Sequence, residues 1–82
     1  MEEKEVFGQV IEILSPYARN KEVLASATAE TNILKELQVN SSRLVDIILA
    51  FEDKFDIEID DGEADNVTTV GAAVTLISAK KS

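Results

Sequence analysis

Apolar residues recur at helical spacing in three stretches of the chain. The first is 3–14, where Val6, Phe7, Val10, Ile11, Ile13 and Leu14 form one stripe and Glu2, Glu3 and Glu5 suit the N-terminal end of a helix. Ser15-Pro16 should end it, because proline has no N–H to donate and disfavours helical geometry in the residue before it. The second stretch, 42–54, is the strongest. Leu44, Ile48, Phe51 and Phe55 fall at i, i+4, i+7 and i+11, while Val45, Ile47 and Leu49 make the helix apolar beyond the face one core needs. Asn40 or Ser41 is its natural N-cap. In the third stretch Thr68 or Thr69 caps a helix that runs to about residue 79, with Val70, Ala73, Val74 and Ile77 inward and Lys80 and Lys81 complementing its C-terminal dipole.

Between these stretches the pattern weakens. Residues 16–40 sustain no period, and Ala25-Ser-Ala-Thr-Ala-Glu-Thr-Asn32 offers little to bury, so a long connection is expected, anchored by Ile33, Leu34 and Leu37. Phe55-Asp-Ile-Glu-Ile-Asp60 alternates like a strand but has no partner strand, so it reads as an extended loop pinned by Ile57 and Ile59. Gly62 to Asn66 fits a short helical turn. The expectation is an all-α fold of three main helices plus a short one, as a single domain over residues 1–82.

Composition narrows the chemistry. There is no cysteine and no histidine, which removes disulfides, thiolate metal sites and the commonest general base. Eight basic residues against sixteen acidic ones give a net charge of −8. Residues 46–65 hold nine of the acids and one base, Lys54, while the rest of the chain balances. Such a field repels nucleic acid and anionic lipid and draws in basic protein surfaces. No apolar run approaches the ~20 residues that span a bilayer, and the acidic start lacks the pattern of a signal peptide, so a cytoplasmic protein without membrane insertion is expected. Asp56, Glu58 and Asp60 are spaced like calcium-loop ligands, but the glycine comes one residue late and Val67 stands where the bidentate glutamate belongs. No metal site and no catalytic residue are expected. Serine without histidine is a weak nucleophile, and hydrolysis fits poorly.

Ser41 stands at the junction of the long connection and the second helix. Alone, a serine there is an N-cap; a phosphodiester on it would also suit the free N–H groups of the first turn. The segment from Asn40-Ser41-Ser42-Arg43-Leu44-Val45-Asp46 to Phe55-Asp56-Ile57-Glu58-Ile59 resembles the acyl carrier protein signature without a gap from Ser41 to Phe55. Asn66-Val67-Thr68-Thr69-Val70 is similar to the segment that opens the family's last helix.

The resemblance covers residues 34–78 well, and residues 3–33 by helix placement and loop length. It implies an acyl-carrier-like bundle with a short third helix and a long loop between helices one and two. It implies that Ser41 bears 4′-phosphopantetheine, delivered from coenzyme A by a phosphopantetheinyl transferase with magnesium, with Ser42 a distant second as attachment site. The chain would then be a carrier, monomeric and not an enzyme, holding acyl groups as thioesters.

Partners would be that transferase and acyl-transferring enzymes with basic docking patches. They would meet Asn40, Ser42, Arg43, Val45, Asp46, Leu49, Glu52 and Asp53, although Val45 and Leu49 suit core packing or the lining of an acyl cavity equally well. The chain departs from the family at Asn40 for aspartate, Ser42 for leucine, Arg43 for an acid and Gln38 for glycine. These changes alter the surface beside Ser41 and point to a specialised fatty acid, lipid or polyketide-type pathway. A peptidyl, aminoacyl or D-alanyl carrier and an unmodified acidic interaction module are the other readings.

Overall fold

The computed structural model describes residues 2–81. Its elements, in chain order, are α1 (Glu3–Leu14), α2 (Lys21–Ala25), a 3-10 turn (Ser41–Arg43), α3 (Leu44–Phe55), α4 (Asp61–Asp65) and α5 (Val70–Lys81). The described residues contain no strand, only an isolated bridge between Asn32 and Thr69. The all-α expectation holds. α1, α3 and α5 are the three main helices and α4 is the short one.

α1 packs chiefly on α5 and also on α3, and the three enclose one core. Val6, Val10 and Leu14 of α1 meet Phe51 of α3 and Val70 and Ile77 of α5 in that cluster, all of them fully buried. The inward residues expected of α5 are all buried. α3 departs from the expected stripe at its first turn: Ile47 is fully buried, whereas Leu44 is only half-buried. The 3-10 turn winds more tightly than an α-helix, so its junction with α3 rotates Leu44 to the edge of the core.

The connection over 16–40 is more ordered than its composition suggests. It contains α2, a five-residue helix that sequence pattern missed because two apolar residues, Val23 and Leu24, cannot establish a period. Its signal was local: Asn20 caps it, the side-chain Oδ1 accepting the Val23 N–H at 3.1 Å. The rest of the connection is fastened to the start of α5. Ile33 N donates to Thr68 O at 3.0 Å, Val70 N to Thr31 O at 3.0 Å and Gly71 N to Ala29 O at 2.8 Å. That approach requires glycine, since a Cβ at position 71 would stand 2.6 Å from the Ala29 oxygen.

Past the anchors Ile33 and Leu37, Gln38 turns the chain with φ 56°. This left-handed geometry is one that glycine adopts without steric cost, in keeping with the glycine that the resemblance implies there. The turn leaves Gln38 exposed between buried Leu37 and Val39 and delivers the chain to Asn40 and Ser41.

Ile57–Asp60 is an extended loop, as expected, whereas Phe55, read as its first residue, belongs to the last turn of α3. Ile59 is buried and Ile57 half-buried, and Asp56 ends α3 in the left-handed conformation.

Candidate functional site

The turn at Ser41–Arg43 is built by Asn40. Its side-chain Oδ1 accepts the Ser42 N–H at 3.0 Å and the Ser42 hydroxyl at 2.9 Å, and its carbonyl accepts the Arg43 N–H at 2.8 Å. Asn40, not Ser41, is therefore the cap, which releases Ser41 from the ordinary role of a serine at a helix start. The two adjacent serines are thereby made unequal. The Ser42 hydroxyl is committed to Asn40, whereas that of Ser41 is exposed and makes no hydrogen bond among the described residues.

Ser41 opens onto a groove of about 300 Å³ between α3 and α4. Leu44 and Ile48 line it from α3, with Ile59 of the extended loop and Ala64 of α4 opposite. Val45 and Leu49 also line it yet are 67% and 55% exposed, which removes them from the core and leaves them as rim and outer surface together. Glu52, Asp61 and Asp65 give the groove a polar edge. An apolar cleft with a free hydroxyl at one end suits a tethered group whose tail prefers to leave water.

Three attachments hold the α4 side of the groove. Glu52 Oε2 accepts the Ile59 N–H at 2.9 Å, fixing the extended loop to α3. Asp60 and Glu63 form a capping box at the start of α4, at 2.7 and 3.2 Å. Lys80 of α5 reaches Glu63 with Nζ to Oε1 at 2.8 Å. That hydrogen bond, helped by the Asp60 N–H, holds the Glu63 carboxyl below its usual value, and the same bond raises Lys80. Sequence pattern had assigned Lys80 to the helix dipole alone; its cross-element partner lies seventeen residues away and leaves no periodic trace.

The remaining surface residues divide. Asp53 is exposed. Asp46 is exposed as well but faces Arg43, with Nη1 to Oδ2 at 3.4 Å. Glu52 is half-buried and serves the fold through Ile59. Among the described residues no group of three or more acidic, histidine or cysteine side chains is arranged to hold a metal ion, and no helix is long and apolar enough to cross a membrane.

Residues 19–77 match the family described as the phosphopantetheine attachment site. The chain is 41% identical over 78 residues to the acyl carrier protein of Lactobacillus acidophilus, covering 94% of each. It is 42% identical over 55 residues to the acyl carrier protein of a Picosynechococcus species, covering 67% of this chain and 68% of that one. Among solved structures it is similar to the acyl carrier protein from Enterococcus faecalis, with a TM-score of 0.80 and 32% identity over 98% of this chain and 99% of the other.

Proposed function

The chain belongs to the acyl carrier protein family, a carrier with a covalent 4′-phosphopantetheine arm rather than a catalyst, and from that premise we propose that Ser41 is the attachment residue. The observation that carries the assignment is the inequality of the two serines. Ser41 offers an exposed, uncommitted hydroxyl at the mouth of the groove, while the Ser42 hydroxyl is bound by Asn40. The site suits the arm: the hydroxyl is accessible to a transferase, and the adjacent cleft is lined by aliphatic side chains. When bound, the arm supplies the thiol on which an acyl group is held, chemistry that a chain without cysteine cannot supply itself.

The protein's own residues position and shelter. Asn40 fixes the turn, Leu44, Ile48 and Ile59 offer an apolar surface to an acyl chain, and the Glu52 and Glu63 contacts keep α4 in place over it. The exposed outer surface of α3, with Val45, Leu49 and Asp53, meets the partner enzymes, flanked by Asn40, Ser42, Arg43, Asp46 and Glu52. An apolar pair ringed by charge is the composition of a transient docking site. Residues 1–82 act as one monomeric carrier domain in the cytoplasm.

The departures at Asn40, Ser42 and Arg43 alter the surface that partners read and leave the core pattern intact. They support a carrier dedicated to a specialised fatty acid, lipid or polyketide-type pathway. Two experiments test these readings. Fragmentation of the tryptic peptide 36–43 from the modified chain should place the arm on Ser41; an arm on Ser42 would overturn the assignment. A reconstituted fatty acid synthase should turn over slowly with this carrier, and full activity would count against specialisation.

A further inference from the structure

The groove beside Ser41 runs lengthwise along α3. Leu44, Ile48 and Glu52 line it at i, i+4 and i+8, with Val45 and Leu49 beside them, so these residues share one helical face. Ser41 stands at one end of that face. Glu52, the last residue of α3 on the lining, stands at the other.

The two ends are built differently. At the first, Ser41 is exposed. At the second, the two walls are joined: Ile59 lines the groove opposite α3, and its N–H donates to the Glu52 carboxylate at 2.9 Å. The Glu52 carbonyl also accepts the N–H groups of Asp56 and Ile57, so three hydrogen bonds fasten this one residue to the extended loop. A hydrocarbon entering from the open end meets only aliphatic side chains on α3 until it reaches Glu52. To pass between the walls there it must break the Glu52–Ile59 bond, leave a half-buried N–H unpaired and press methylenes against a carboxylate.

We propose that Glu52, through its bridge to Ile59, sets the length of acyl chain that this carrier shelters. The inference deepens the proposed function and rests on Ser41 bearing the arm. Glu52 lies eight residues beyond Leu44. At a helical rise of ~1.5 Å per residue that distance is about 12 Å. An extended hydrocarbon advances about 1.25 Å per carbon, given C–C bonds of about 1.5 Å and angles near 111°. The sheltered cargo is therefore a saturated acyl chain of up to about ten carbons. A longer chain leaves its tail in water, beside exposed Val45 and Leu49.

The test is a chain-length series. A broad-specificity phosphopantetheinyl transferase loads the carrier from acyl-coenzyme A thioesters of four to sixteen carbons. Intact mass and fragmentation then establish one acyl arm per chain and its place, so a failure of the Ser41 assignment is seen before any length dependence is read. In the wild type the denaturation midpoint should rise with chain length to about ten carbons and then level off, because a chain buried only in the folded state stabilises it. Native retention on a hydrophobic-interaction column should stay flat over the same range and climb beyond it. In Glu52→Met, an apolar side chain of similar length, both breaks should move to longer chains. In Glu52→Gln, which keeps an acceptor for Ile59, they should stay. A residue that served stability alone would lower every midpoint and leave the breaks in place. The proposal is overturned by a wild-type midpoint that climbs without a break to sixteen carbons or ignores chain length, or by breaks unmoved in Glu52→Met. The wild-type series decides by itself should Glu52→Met not fold.

Discussion

At Glu52 one carboxylate holds the loop that closes the groove, since it accepts the Ile59 N–H across seven residues. Removing it leaves a half-buried donor unpaired, at a cost of about 1–2 kcal/mol. Glu52→Ala should therefore lower stability to chemical denaturation by about that amount, and Glu52→Gln, which keeps an acceptor, by clearly less. Equal losses would show that the hydrogen bond is not the reason. The sequence places Glu52 among docking acids; only the path of the extended loop brings a backbone donor to it. Val45 and Leu49 illustrate the same point. Helical spacing leaves them between core and surface, and their exposure follows from which side of α3 the packed helices cover. The sequence prefers Ser41 to Ser42 only through a gapless motif, whereas their chemical difference depends on which hydroxyl Asn40 engages.

Among the elements, the main helices were legible because each carries several apolar residues at helical spacing. α2 and the fastening of the long connection were not, since the backbone hydrogen bonds in which the Ala29 and Thr31 carbonyls accept and the Ile33 N–H donates carry no side-chain signature. Gly71 marks that fastening. Gly71→Ala should cost about 1–3 kcal/mol, because the added methyl must push Ala29 away from α5; an unchanged unfolding midpoint would contradict the close approach.

α4 depends on its attachments rather than on buried residues of its own. Its link to α5 is sensitive to pH, with a definite sign. Glu63 titrates below its usual value, so the stabilisation is present above the ordinary carboxylate range and disappears as pH falls through the depressed value. Lys80 titrates above its usual value, so the same link is lost again as pH rises through that raised value. In hydrogen exchange, corrected for intrinsic rates, α4 protection should fall on acidification in the wild type. It should change much less in Lys80→Met. The same acid sensitivity in both proteins would show that the Glu63–Lys80 bond is not its source.

For the molecule as a whole, the division of labour follows from what the chain lacks. Without cysteine or histidine it has no thiol and no imidazole base, and its fold instead presents one uncommitted serine beside an apolar groove on an acidic surface. The lack of thiol and imidazole was readable from composition and the serine's part from the resemblance, while the groove was not readable, because it lies between elements separated by a loop of irregular path. The account stands or falls on one measurement. The intact masses of the wild type, Ser41→Ala and Ser42→Ala are compared after incubation with coenzyme A, magnesium and a broad-specificity phosphopantetheinyl transferase. A gain of one phosphopantetheine in the wild type and Ser42→Ala, with none in Ser41→Ala, is the expected result. A gain that survives in Ser41→Ala, or none in any of the three, would contradict it.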